Sequence, residues 1–144
     1  MDEINGVPGP VFTPLKQIIH PKGDVFHGLK HSDKGFEGFG EAYFTTVRHG
    51  QVKGWKKHRR MVMNLVVPVG SICLYLRDDI TGKVIRFMLG SENYGRVTVP
   101  AGYWMAFEGV GPSLNLMLNL ASIEHDPLEA VNMPLETFPL GDDQ

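Results

Sequence analysis

The run MVMNLVVPVGSICLYL, residues 61–76, constrains this chain most. It is apolar almost throughout, yet Pro68-Val69-Gly70 cuts it into two strand-length pieces. Proline fixes φ and lacks an amide hydrogen, and glycine permits positive φ, so the tripeptide reads as a turn. Pieces this short and this rich in Val, Leu and Ile are buried β-strands. In the second piece Ile72, Leu74 and Leu76 share one face, while Cys73, Tyr75 and Arg77 share the other.

The same pattern recurs along the chain. Strands are predicted at 25–29, 41–47, 51–59, 61–67, 71–77, 83–89, 95–99, 103–107 and 114–121, and residues 15–20 are a strand or a helical turn. The turns between them use 17 glycines and 10 prolines. Roughly eight short strands at a spacing of about 8–12 residues indicate an all-β sandwich or barrel. One short C-terminal helix is predicted over 126–131, with Asp126 as N-cap and Pro127 at the first helical position. Residues 1–14, with three prolines and two glycines, read as an N-terminal arm, and residues 15–144 as a single domain. The lone Cys73 excludes an intrachain disulfide. The opening residues show no basic segment followed by an apolar one, and no apolar run reaches membrane-spanning length. A cytoplasmic protein without a membrane partner is expected.

Immediately before the apolar run the chain is basic. Lys53, Lys56, Lys57, Arg59 and Arg60 place five of the 14 lysines and arginines within eight residues, with Trp55 and His58 among them. All 16 acidic residues lie elsewhere, so the segment is a cationic island on an acidic body. An anionic ligand is one reading. A solvated strand face, or an edge protected from aggregation, is the other. The net charge of −2 weighs against nucleic acid as a partner.

Several segments together carry a resemblance. The turns at Gly70 and Pro100-Ala101-Gly102 resemble the two motif regions of the cupin superfamily. Lys53-Gly-Trp-Lys-Lys-His58 is similar to the Arg-Gly-x-His-x-His segment of the dTDP-sugar 3,4-ketoisomerases and the Arg-Gly-Leu-His segment of the dTDP-4-dehydrorhamnose 3,5-epimerases. Glu41-Ala-Tyr-Phe44 resembles the ketoisomerases' Arg-x-Tyr strand, and Leu120-Ala-Ser-Ile-Glu-His-Asp126 their Leu-Ala-Ser-x-x-Tyr-Asp ending. Ser91-Glu-Asn93 and the segment Val99 to Phe107 resemble the epimerases' Asn-rich turn and Ile-Pro-x-Gly-Phe-Ala-His-Gly-Phe segment. The resemblance spans about residues 36–130 and implies a cupin-type β-jelly-roll barrel.

The resemblance further implies an isomerase or epimerase acting on a dTDP- or UDP-linked 4-keto-6-deoxy sugar for surface-polysaccharide synthesis. His58 and Lys56 become candidate bases, Lys56 alternatively a cation for an enolate oxygen, and Tyr43 a candidate acid. Lys53, Arg59 and Arg60 are candidates for a diphosphate, and Trp55 and Trp104 for an aromatic wall. The first motif histidine falls on Lys56, the acidic metal ligand on Met63 and the second-motif histidine on Met105, so no metal or other cofactor is expected. A catalytically silent cupin that binds a sugar nucleotide or other anionic metabolite is the alternative. Met61, Met63, Met88, Met105 and Met117 are expected inside the barrel. A homodimer is expected, because the arm has too few apolar residues for its own core and the related families exchange N-terminal strands.

Overall fold

The computed structural model describes residues 3, 4 and 7–141. Its early strands are β1 (Glu3–Ile4), β2 (Val7–Pro8), β3 (Val11–Pro14), β4 (Gln17–Ile18) and β5 (Val25–Phe26). The longer ones follow: β6 (Glu41–Thr46), β7 (Val52–His58), β8 (Met63–Val69), β9 (Ser71–Asp78), β10 (Val84–Gly90), β11 (Gly95–Val99), β12 (Tyr103–Gly109) and β13 (Leu116–Ala121). β14 (Ala130–Asn132) comes last, between 3-10 turns at Pro127–Glu129 and Leu135–Thr137.

Two five-stranded sheets, ordered β10-β9-β12-β7-β14 and β3-β11-β8-β13-β6, enclose the core as the predicted jelly-roll barrel. Met63, Leu65, Val67, Val97, Val99 and Met117 from one sheet meet Ile72, Leu74, Leu76, Leu89 and Phe107 from the other. The strands on either side of Gly70 are apolar on both faces because both faces are covered. Outside β9, Cys73 and Tyr75 join Trp55 and Trp104 beneath Leu135, Phe138 and Leu140. Outside β8, Asn64 donates to the Gly35 carbonyl, and the fully buried Arg96 donates to Asn64, Gly28 and Asp33. The guanidinium thereby satisfies loop carbonyls that would otherwise be buried without donors.

Three expectations change. The predicted helix over 126–131 is only the turn Pro127–Glu129, after which the chain pairs with β7. The start signal is real, since Asp126 accepts from the Leu128 amide at 3.0 Å. The ladder Ala130↔His58, Val131↔Lys57, Asn132↔Lys56 then competes with helix, and the strand wins because it fills the open edge of β7. Of the stretch read as an arm, residues 1, 2, 5 and 6 lie outside the described residues. Its end, Val11–Pro14, is not loose: it pairs with β11, and Phe12 packs on the core. Met88 lies opposite Cys73 on the outer face and is 47% exposed, so it does not fill the interior.

Gly70 holds the turn between β8 and β9 at φ +82°, and a Cβ there would lie 2.3 Å from the Leu114 carbonyl oxygen. Gly70→Ala should cost about 1–3 kcal/mol, since it combines a left-handed backbone with a clash. A urea midpoint equal to that of the unsubstituted protein would contradict this account of the turn.

Candidate active site

The site is built by an irregularity in β7. Opposite β12, Lys53 pairs with Phe107 and Gly54 with Ala106, but the next pair is Lys56 with Met105. Trp55 is the extra residue, a β-bulge whose N–H and C=O bond instead to Met133 at 3.1 and 3.0 Å. Strict alternation would put Lys53 and Lys56 on opposite faces. The bulge resets the phase, so both lie opposite the inward residues Phe107 and Met105, while the Trp55 indole joins the outer cluster. Gly54 permits the close approach, since a Cβ there would sit 2.5 Å from that of Ala106.

A cavity of about 310 Å³ opens at this end of the barrel. Met105, Phe107, Met117 and Met133 form its apolar wall, and Tyr43, Thr45, Lys53, Lys56, Asn119 and Asn132 its polar one. Lys53 Nζ donates to Thr45 Oγ1 at 3.2 Å and to the Thr46 carbonyl at 3.1 Å, and stands 5.5 Å from the centre of the Phe107 ring. Asn119 Nδ2 donates to the Tyr43 hydroxyl at 2.8 Å. Lys56 is half-buried, and its side-chain nitrogen has no ion pair among the described residues. A second depression shares Lys53 and is flanked by Arg48 and His49. Since His49 Nδ1 faces two carbonyls, those of Val110 and Gly111 at 3.2 Å each, it carries the proton.

Of the residues singled out in the sequence, Tyr43, Lys53, Trp55 and Lys56 border the cavity. His58 does not. It is 3% exposed, and its Nδ1 bonds to Glu129 Oε1. Glu129 Oε2 accepts from the backbone amides of Arg59, Arg60 and Met61 at 3.0, 2.8 and 3.2 Å. Burial pushes the Glu129 carboxyl up, but the bonds from His58 and these amides outweigh it and hold the group below its ordinary value. Arg59 is exposed away from the cavity, and Arg60 pairs with Asp126 at 3.1 Å. Trp104 lies on the outer face, where its indole N–H donates to Asp79 at 2.9 Å and Lys57 stands 5.0 Å from the ring centre.

Asn119, Thr45, Asn132 and Arg48 were not singled out. Asn119 alone had a signal, as a polar residue inside the apolar strand Leu116–Ala121. Among the described residues no three His, Cys, Asp or Glu side chains converge as a metal would require.

No family model matches the chain, and no curated protein matches it. Solved structures do. A dTDP sugar isomerase from Desulfovibrio desulfuricans is 32% identical, over 94% of this chain and 93% of that one, with a TM-score of 0.88. A 3'-monoepimerase from Streptomyces bikiniensis in complex with dTDP-quinovose is 13% identical, over 94% of this chain and 74% of that one, with a TM-score of 0.79. A sugar 3,4-ketoisomerase from Thermoanaerobacterium thermosaccharolyticum in complex with TDP is 18% identical, over 85% and 87%, with a TM-score of 0.73. The last two share the fold.

The Glu129 contact sets an acid limit. Its depressed carboxyl contributes stability that is complete above the ordinary value of 4.5 and is lost as pH falls through the lower folded-state value. Glu129→Gln lacks that contribution at every pH. The stability gap between the two proteins should therefore be widest near neutrality and narrow as pH falls below 4.5. Urea midpoints differing by a constant amount across that range would show that the carboxylate does not anchor this end of the barrel.

Proposed function

This chain belongs to the cupin-fold family of dTDP-sugar isomerases and epimerases, and on that premise we propose that it isomerises or epimerises a dTDP- or UDP-linked 4-keto-6-deoxy sugar. The observation that carries the reading is the convergence of Lys53, Lys56 and Tyr43 on one apolar-walled cavity. A 4-keto sugar acidifies the hydrogen on C3. Removing that proton sends the C–H electron pair onto the C4 oxygen as an enediolate, and returning a proton elsewhere gives the isomer or epimer.

Roles follow from position. Lys56 stands where the resemblance places a base histidine, borders the cavity, and is assigned the C3 proton. Once protonated, it sits as a cation beside the enediolate. Tyr43 is assigned as acid toward the carbonyl oxygen. His58, bound to Glu129 and buried, is assigned a supporting role at the end of β7 instead of the base role read from the sequence. Lys53, shared by the cavity and the depression beside Arg48, suits a diphosphate, replacing the Arg59 and Arg60 assignment. The apolar wall suits the 6-methyl group of a deoxy sugar. Trp55 and Trp104, whose rings lie in the outer cluster, are assigned to packing.

Such sugars serve surface polysaccharides, and their nucleotide-linked forms are made in the cytoplasm, where we place this protein. No described helix is long and apolar enough to cross a membrane. A homodimer is supported by the outer face of β6 and β13. There Phe44 is 65% exposed and lies opposite Leu118, with Leu116 and Leu120 beside it. The silent-binder alternative draws on Lys56, Met63 and Met105 at positions where related enzymes carry other chemistry.

Lys56→Met should bind dTDP yet lose exchange of the sugar's C3 hydrogen with D2O. Lys53→Ala should lose about 1.5–3 kcal/mol of dTDP affinity, with binding weakening as salt rises. Exchange surviving in Lys56→Met would remove the base assignment. Wild-type protein that binds the nucleotide sugar but never exchanges its hydrogen would establish the silent binder. Light scattering at micromolar concentration should give twice the 16.0 kDa of one chain, and a monomeric mass would end the dimer proposal.

A further inference from the structure

Strand β13 alternates, and Met117, Asn119 and Ala121 are its inward residues. Asn119 is the polar one, 2% exposed and in register with Tyr43. Its Nδ2 donates to the Tyr43 hydroxyl oxygen at 2.8 Å, while its Oδ1 is buried with no hydrogen-bond partner among the described residues. An orphaned buried carbonyl is destabilising, a cost that a leucine at this position would avoid. As placed, the amide leaves one N–H and its oxygen without partners; turned over, it would leave both N–H groups without an acceptor. A side chain kept at a net cost in a cavity wall is where function is to be sought.

The direction of the bond has a chemical consequence. The amide hydrogen occupies the side of the phenol oxygen that faces Asn119. The hydroxyl hydrogen therefore cannot point there and is left to donate into the cavity. We infer that Asn119 is a positioning residue that fixes the direction of the Tyr43 hydroxyl hydrogen and so makes Tyr43 the proton donor to the substrate's carbonyl oxygen. The inference rests on the isomerase reading above. As Lys56 takes the C3 proton, the C–H pair forms the C3=C4 double bond, the C4=O pair moves onto the C4 oxygen, and Tyr43 passes its proton to that oxygen. The phenolate left behind is held by the Asn119 N–H. When the carbonyl re-forms, the oxygen returns that proton to Tyr43, so the residue ends as it began.

The test measures C3-hydrogen exchange in D2O with dTDP-4-keto-6-deoxyglucose, alongside calorimetric dTDP binding and thermal melting. Asn119→Leu should melt no lower than wild type and bind dTDP equally, yet exchange roughly ten- to a hundredfold more slowly. A purely structural asparagine would behave in the opposite way, losing stability first. In Asn119→Asp the introduced carboxylate accepts the Tyr43 hydrogen and turns it away from the cavity. Its exchange should be lost at neutral pH and recover as that carboxyl is protonated on acidification, a pH profile that packing alone does not produce. If Asn119→Asp fails to fold, Asn119→Leu decides alone. Wild-type exchange in Asn119→Leu beside slow exchange in Tyr43→Phe would overturn the inference and leave the isomerase reading intact. A joint loss of melting temperature and activity in Asn119→Leu would also overturn it. A wild-type protein that binds dTDP and exchanges nothing would end both.

Discussion

The pairing of β7 with β12, one residue out of step at Trp55, is what the site depends on. In an antiparallel ladder the face a side chain takes is set by register, and a single extra residue inverts everything beyond it. Here the inversion brings Lys56 onto the same face as Lys53, so both border the cavity walled by Met105, Phe107 and Met117. An anion bound in that one small cavity would meet the two lysines together. The same bulge sends Trp55 outward, where its indole N–H donates to the Leu135 carbonyl at 2.9 Å and its ring meets Phe138 edge-on. One irregularity thus places the charge and anchors the segment that covers the sheet.

The other end of β7 is held differently. Glu129 takes three consecutive amides where the chain leaves the strand and adds His58 on its remaining oxygen. The Arg59 amide also donates to the Glu129 main-chain carbonyl at 2.8 Å, while those of Arg60 and Met61 are donors left over as the ladder stops, and the buried carboxylate gathers all three. With the bulge above and this carboxylate below, Lys56 projects from a strand fixed at both ends. A long flexible side chain can be aimed only if its backbone is so constrained.

How much of this could be read from residues alone depends on range. The barrel was legible because its signal is local: the alternation in β9, the apolar run of β8 and the Pro68 to Gly70 turn each report on neighbouring residues. Tyr43, Lys53 and Lys56 were found through motif resemblance. His58, Arg59 and Arg60 were placed with them because they are near in sequence, and a strand separates near neighbours onto different faces and ends; Trp104 came through the resemblance, and β12 turns it outward. What distinguished the first three was a bulge paired to Met133 and a carboxylate at Glu129, about 70 to 80 residues further on. The helix read from Asp126 and Pro127 failed for the same reason: the local start signal was correct, and a distant strand edge outcompeted its continuation.

The C-terminal segment also separates two tasks along the chain. β14 and Met133 close one side of the cavity, while Leu135 to Leu140 cover the outside of the same sheet. The buried residues of the main core end at Ala121, whereas the Trp55 bulge needs the Met133 backbone and the amides beyond His58 need Glu129. Holding the barrel together and holding a small molecule are therefore written in different stretches of the chain.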